Sequence, residues 1–321
     1  MTETIKAVQI GSYGGPGELR YVDVPKPSPR EGEVLIRVHA AGLNPVDWKT
    51  RAGQGAARFF QNPFPLTLGW DVSGVVEALG KGVTEFEPGN QVFGYVRFPQ
   101  PGGTHAEYVA APAAQLVRKG SGLGHVEAAA LSAAALTAWQ NIFDSGALEA
   151  GQTILIHAGA GGVGHFAVQL AKWKGARVIA TASASNRAFL KRLGADEVID
   201  YRKEPFEAAV RDVDVVFDLI GGEVRERSWQ TLKPGGVLVS TRSEAFSEAP
   251  FRYGVRGRFI WAQPNARQLS TIQTLVEEGH VRVEVDKVYA LKNVRRAHER
   301  GASGHNRGKI VLGVRDGGDE E

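Results

Sequence analysis

The spacing of apolar and polar positions changes character once along the chain. Glu33-Val34-Leu35-Ile36-Arg37-Val38-His39 alternates, as a strand with one buried face does, and 72–78 and 91–96 repeat the pattern. Glu87-Pro88-Gly89-Asn90 and Pro101-Gly102-Gly103 supply turns between such runs. Eleven of the 15 prolines stand at or before Pro112. Proline avoids helix interiors and central strands, so this first third predicts short strands, many loops and a small β-rich domain built as a partly open barrel. From Val126 to Ile142 the pattern becomes that of an alanine-rich helix. Strands over 152–158, 177–182, 197–200, 213–219 and 236–241 then alternate with helical sequence over 163–174 and 186–193, the second closed by Gly194. Alternation of this kind predicts an α/β fold with a doubly wound parallel sheet. An amphipathic helix follows Asn265 as far as Glu278. The tail, 281–312, returns to short strands with one helix near 294–300, and is expected to pack back on the first domain. Asp316 to Glu321 reads as a polar, frayed end. The expected division is therefore 1–120, rejoined by 281–321, with 121–280 as the second domain.

Composition narrows the function. Hydrophobic residues make up 43% and charged residues 23%, which is enough apolar sequence for two cores. Lys plus Arg is 38 against 35 for Asp plus Glu, and a net charge of +3 argues against nucleic acid as the main partner. Cysteine is absent, which removes disulfides, thiolate metal ligands and thiol nucleophiles. The eight histidines show no metal-ligand spacing, so no metal site is expected. The opening Met1-Thr2-Glu3-Thr4-Ile5-Lys6 has no basic-then-apolar signal run. The apolar stretch 128–139 falls short of the ~20 residues a membrane span needs. A cytoplasmic protein without membrane association is expected.

The most informative segment is Ile154-Leu155-Ile156-His157-Ala158-Gly159-Ala160-Gly161-Gly162-Val163-Gly164. It carries G-x-G-x-x-G at Gly159, Gly161 and Gly164, after an apolar strand and before a helix, which is the context that lets the motif work. Glycine permits the tight turn and the close approach of backbone. The helix N-terminus then offers free N–H groups and partial positive charge to a pyrophosphate, making Gly159, Ala160, Gly161, Gly162 and Val163 the cradle. A site for the unphosphorylated coenzyme normally places an acid about 20 residues on, at the ribose 2′-hydroxyl. Between Gly164 and Ala195 there is no Asp or Glu; Ser183, Ser185, Asn186, Arg187 and Lys191 stand there instead. Hydroxyls and cations attract a 2′-phosphate that a carboxylate would repel, so NADPH is the expected cofactor.

These residues and their neighbours resemble the medium-chain dehydrogenase/reductase superfamily, in its zinc-independent branch of quinone oxidoreductases and enone reductases. The likeness runs through Gly14-Gly15-Pro16, Ala41-Gly42-Leu43-Asn44-Pro45-Val46-Asp47-Trp48-Lys49 and Gly69-Trp70-Asp71-Val72-Ser73-Gly74. It continues through Gly161-Gly162-Val163-Gly164 and Leu193-Gly194-Ala195-Asp196, and ends on Gly308-Lys309-Ile310-Val311-Leu312. The resemblance implies a GroES-like N-terminal domain, a Rossmann domain, NADPH and a homodimer or homotetramer. By position it implies that Asn44 and Lys49 face the nicotinamide end and that Thr137 sits near it. It also implies that Ser183, Arg187 and Tyr201 surround the 2′-phosphate, and that Asn306 or Arg307 closes over the cofactor. Zinc-dependent members carry Gly-His-Glu where this chain has Gly69-Trp70-Asp71. Lys49 stands where some quinone oxidoreductases have Tyr, which tilts the resemblance toward conjugated enones or enals.

Without a metal to stabilise an alkoxide, the easier chemistry is hydride delivery to an activated acceptor, a quinone or an α,β-unsaturated carbonyl. Asn44 and Lys49 are the expected donors to the developing oxyanion; the alternative for Lys49 is a surface lysine paired with Asp47 or Asp71. Asp71 reads as a buried, hydrogen-bonded acid, and Trp48 and Trp70 as pocket walls or core. His157 and His165 read as satisfied core histidines, and His105 as a possible lining residue. Two other functions fit part of the sequence. One is a zinc-free alcohol dehydrogenase or aldehyde reductase. The other is an NADPH-binding protein with an RNA-binding or non-catalytic role, suggested by the arginines and aromatics of 251–259.

Overall fold

In a computed structural model, which describes residues 3–315, the alternating run at Glu33 extends to Leu43 as one long strand. Strands β1 (Thr4–Ile10), β2 (Arg20–Pro25) and β3 (Glu33–Leu43) lead into helix α1 (Pro45–Arg51). Strands β4 (Leu66–Thr67), β5 (Asp71–Leu79), β6 (Gln91–Tyr95), β7 (Tyr108–Pro112) and β8 (Leu116–Arg118) precede helix α2 (His125–Trp139). Strand and helix then alternate: β9 (Thr153–Ile156), α3 (Gly164–Trp173), β10 (Arg177–Ala182), α4 (Arg187–Arg192), β11 (Glu197–Asp200), α5 (Phe206–Ala209), β12 (Val213–Asp218), α6 (Gly222–Ser228), β13 (Leu232–Ser240), α7 (Ala249–Tyr253) and β14 (Arg256–Phe259). Helix α8 (Ala266–Glu277), β15 (Val285–Ala290), α9 (Val294–Ala302) and β16 (Lys309–Gly313) follow. The frayed end expected over 316–321 lies outside the described residues.

The chain divides into two units. One comprises Met1–Leu136, Gln263–Glu277 and Val283–Glu321; the other comprises Thr137–Ala262 and Glu278–Arg282. The expected division had put 121–136 and 263–277 with the parallel sheet. They group with the first unit because Ala129 and Ala130 of α2 pack on Ala40 and Val311, and because Gln273 of α8 accepts the Gly120 N–H at 3.1 Å.

In the first unit a three-stranded antiparallel sheet runs β2-β1-β4, and a larger one runs β15-β16-β3-β5-β6-β8, with β7 also on β3. The tail returns to the first unit as expected: β16 pairs antiparallel with β3, Ile310 opposite Leu43 and Leu312 opposite Ala41. Alternate residues of these strands supply its cores, one around Val8, Ile10, Leu43, Leu68 and Leu312, another around Ile36, Val72, Val92 and Val109. In the second unit all strands are parallel in the order β11-β10-β9-β12-β13-β14. That is the doubly wound order, with its direction reversing between β9 and β12, where ligands bind in such sheets. Leu155, Ile179, Val216 and Leu238 fill one face of it. The expected helix over 126–142 is only partly α: residues Gln140–Ser145 wind as a π-helix. Among the described residues no helix is long and apolar enough to cross a membrane.

Candidate active site

The glycine turn joins β9 to α3 in the second unit, at the end of the sheet where the strand order reverses. The sharpest backbone turn is made by Ala158, at φ +51°, and the glycines serve close approach. A Cβ on Gly164 would sit 2.2 Å from the Ala158 carbonyl oxygen, and one on Gly159 would sit 2.9 Å from the Ala180 Cβ. Gly161 has only the Ala158 oxygen near its Cβ position, at 3.3 Å, so its outer side is open. The Gly159 and Gly161 N–H groups are taken by the Thr181 and Ala158 carbonyls, and those of His165 and Phe166 by Gly161 and Val163, so the start of α3 around Gly162 and Val163 is the part of the turn that suits a phosphate. Beneath it His157 is buried and hydrogen-bonds Thr181 Oγ1 at 3.1 Å and Ser228 Oγ at 2.8 Å. The Gly159 N–H donates to the Thr181 carbonyl at 3.1 Å, so the histidine, β10 and the turn form one frame. Burial pushes the His157 imidazole down to about 4, keeping it neutral. It is a satisfied core histidine, as the sequence suggested, and His165 likewise meets the Gly161 carbonyl oxygen at 2.9 Å.

Parallel pairing brings the other cofactor candidates of this unit together. Ala182, the last residue of β10, lies opposite Asp200, the last of β11, so the residues that follow, Ser183 and Tyr201, leave neighbouring strand ends. Ser183 Oγ hydrogen-bonds Ser185 Oγ at 3.0 Å and accepts from Asn186 Nδ2 at 3.2 Å. Arg187 opens α4 and is exposed, and Tyr201 is 55% exposed. The carboxylate at these ends, Asp200, is buried and accepts the Arg202 N–H at 3.2 Å, turned into its own turn. Thr137 also belongs to this unit, and its carbonyl accepts from Asn141 Nδ2 at 2.9 Å beside the π-helix.

The first unit holds a buried polar cluster that local sequence patterns do not reveal as a whole. Pro45 starts α1, and Asp47 reaches back to accept the Asn44 N–H at 2.7 Å, the acidic half of a capping box. Asn44 Nδ2 donates to Asp71 Oδ2 at 2.7 Å, and the other Asp71 oxygen accepts the Ala133 N–H at 2.8 Å. Lys309, the first residue of β16, donates from Nζ to the Leu43 carbonyl at 2.8 Å and to Asn44 Oδ1, with Asp71 Oδ2 at 3.9 Å. All four side chains are buried. Burial pushes the Asp47 carboxyl up to about 8, the Asn44 N–H opposing, and pushes Asp71 up to about 6, Lys309 opposing. Burial lowers Lys309 while Asp71 and Asp47 hold it up. At neutral pH Asp47 is therefore the protonated carboxyl of the pair and Asp71 the ionised one, with the Lys309 amine beside it.

Of the predicted residues in this unit, Asn44 lies at the centre of the cluster. Lys49 is half-buried on α1, two residues beyond Asp47. Lys309 is the functional candidate that sequence reasoning missed. Its signal is a lysine leading the apolar run Ile310-Val311-Leu312 into the middle of a sheet. Asn306 and Arg307 also lie in this unit, apart in the chain division from the glycine turn. Asn306 Nδ2 donates to the Gly308 carbonyl at 2.7 Å, and Arg307 Nε to Glu284 Oε1 at 3.0 Å. His105 is fully buried and stands 3.9 Å from Asp47 Oδ1, with burial pushing it down to about 3. Trp70 is core, its Nε1 donating to the Gln100 carbonyl at 2.7 Å, and Trp48 packs on Gly301 and the first core. Phe251 is 91% exposed on α7, and 256–259 form the edge strand β14 of the parallel sheet.

Comparison with known proteins places these sites in context. The family model for an alcohol dehydrogenase GroES-like domain matches residues 30–121, and one for a zinc-binding dehydrogenase matches 193–312. The residues do not fit a zinc ion. The chain has no cysteine, and among the described residues no three His, Asp or Glu side chains gather in a group able to hold a metal. The chain is 35% identical to a chloroplast envelope quinone oxidoreductase homolog of Arabidopsis thaliana, over 95% of this chain and 97% of that protein. It is 34% identical to the chloroplastic NADPH-dependent alkenal/one oxidoreductase of the same plant, over 96% and 79%. Among solved structures, the quinone oxidoreductase from Coxiella burnetii superposes with a TM-score of 0.93 at 41% identity, over 98% of this chain and 100% of that one.

Proposed function

This chain belongs to the medium-chain dehydrogenase/reductase superfamily, in its quinone oxidoreductase and enone reductase branch, and from that we propose an NADPH-dependent reductase of α,β-unsaturated carbonyls or quinones. The observation that carries the cofactor choice is the chemistry at the ends of β10 and β11. Ser183, Arg187 and Tyr201 stand there, no acid lies between Gly164 and Ala195, and Asp200 is engaged by its own turn. Within the turn from Gly159 to Val163, the N–H groups of Gly162 and Val163 would hold the pyrophosphate while Gly159 and Gly161 let it approach the backbone, and Ser183, Arg187 and Tyr201 would hold the 2′-phosphate. An NADPH-dependent relative of 34% identity supports the same choice.

NADPH held there would supply a hydride to the β-carbon of an unsaturated carbonyl acceptor. As that bond forms, the carbonyl oxygen gains negative charge, and fixed donors at that oxygen lower the barrier. Asn44 has one Nδ2–H left after its bond to Asp71, and that N–H together with the Lys49 ammonium is assigned to the oxyanion. Solvent then protonates the α-carbon. Lys49, standing where some quinone oxidoreductases have Tyr, is the feature that tilts this reading toward conjugated enones and enals.

Stopped-flow oxidation of NADPH and NADH against an enone, 1,4-naphthoquinone and a saturated aldehyde tests the reading. Turnover of the first two with NADPH is the expected result. Turnover of the aldehyde alone would point to a carbonyl reductase. Binding of RNA with steep salt dependence and no turnover would point to a non-catalytic role. Arg187→Ala should weaken NADPH by ~10-fold or more, the loss of a charge-assisted phosphate contact, and leave NADH nearly unchanged. Equal losses for both coenzymes would remove Arg187 from the phosphate site.

A further inference from the structure

We propose that Asp71 and Lys309 act as positioning residues that fix the orientation of the Asn44 carboxamide toward the reacting carbonyl. The inference rests on the reading of Asn44 as a carbonyl donor and adds the device that aims it. A carboxamide has two ends of opposite hydrogen-bonding character and can turn over about its last torsion. Here each end meets a group that accepts only one choice. The Nδ2 end donates to Asp71 Oδ2 at 2.7 Å, and the Oδ1 end receives Lys309 Nζ. Turned over, the amide oxygen would face the Asp71 carboxylate and the NH2 would face the donating Lys309 Nζ, acceptor against acceptor and donor against donor in a buried setting.

The two holders are themselves held by backbone. Asp71 is fixed by the Ala133 N–H at 2.8 Å and Lys309 by the Leu43 carbonyl at 2.8 Å. The backbone of Asn44 is pinned as well, by Asp47 at 2.7 Å. Amine and carboxylate stand 3.9 Å apart, outside hydrogen-bond reach, so the pair is directed at the amide and not at itself. With one Nδ2–H and the Oδ1 engaged, the remaining Nδ2–H has a single direction. Preorganisation of this kind is what makes one donor count in a transition state.

A double-mutant cycle on the full-length enzyme with NADPH and an enone tests the proposal. Asn44→Ala should lower kcat by ~10²-fold, as loss of one oxyanion donor does. Lys309→Met should lower kcat by ~10-fold or more, with KM and NADPH affinity little changed, as loss of an orienting partner does. The two changes together should be no slower than Asn44→Ala alone, because Lys309 has nothing left to aim. Multiplied losses in the double variant would mean that Lys309 acts on the fold and would overturn the proposal, as would an unchanged kcat in Lys309→Met. Full kcat in Asn44→Ala would instead overturn the donor reading on which it rests. Should Lys309→Met fail to fold, the isosteric Asp71→Asn serves in the same cycle with the same expected outcomes.

Discussion

Asp47 shows how one buried side chain sets a pH response. It is fully buried, accepts the Asn44 N–H, and has its carboxyl pushed by burial up to about 8 from 3.8. A carboxyl raised in the folded state binds more protons there than in the unfolded chain throughout that interval. Its contribution to stability is therefore complete below the unfolded value and is lost as pH rises through about 8, by at most about 1.4 kcal/mol per pH unit. Asp47→Asn keeps an acceptor for the same N–H and cannot ionise. Its melting temperature relative to the parent should move in the variant's favour from pH 5 to pH 8. His105, pushed down to about 3, gives the opposite slope, losing stability as pH falls below 6.5, but it is common to both proteins and cancels in the difference. A difference in melting temperature that does not change with pH would show that Asp47 is ionised in the fold.

Among the elements, the turn between β9 and α3 separates two uses of glycine. At Gly164 a Cβ would press 2.2 Å from the Ala158 carbonyl oxygen, whereas at Gly161 it would meet only that oxygen at 3.3 Å. Gly164→Ala should therefore lower the thermal stability of the cofactor-free protein, by ~1–3 kcal/mol as overpacking does. Gly161→Ala asks the Ala158 oxygen to give by only a few tenths of an ångström, so it should cost that stability less than Gly164→Ala and weaken NADPH. Calorimetry of both variants with and without coenzyme checks the pair, and an identical response would dissolve the distinction. The turn was legible in the sequence because everything it needs is local: apolar strand, glycines, helix. Five of the six strands of the parallel sheet were legible for the same reason, and 177–182 and 197–200 appear with the bounds read from the sequence. Strands β1, β2, β4, β7, β8 and β14 were not picked out, since short strands are defined by partners distant in the chain. The cluster around Asn44 was half legible. Asn44 and the buried nature of Asp71 were readable, but Lys309 lies 265 positions from Asn44 and only the pairing of β16 with β3 brings it there.

For the molecule as a whole, the interior place of β16, between β15 and β3, is decisive. Ile310, Val311 and Leu312 are all buried, and each such side chain is worth ~1.5–3 kcal/mol of burial. Together they approach the ~5–15 kcal/mol net stability of a typical domain. A chain ending at residue 304 should therefore lose the ordered first unit, with limited proteolysis cutting first within 1–136; uniform resistance would show that β3 and β5 hold without their neighbour. The same arrangement governs events on the ribosome. Leu43 and Lys309 are 266 positions apart, and at ~5–20 residues per second the earlier strand waits on the order of tens of seconds for its neighbour. The parallel sheet has all its strands by residue 259, so translation completes the middle of this polypeptide before its beginning. The stretch Ala40–Leu43 is then an open edge on the nascent chain, and that is where chaperones have most to guard.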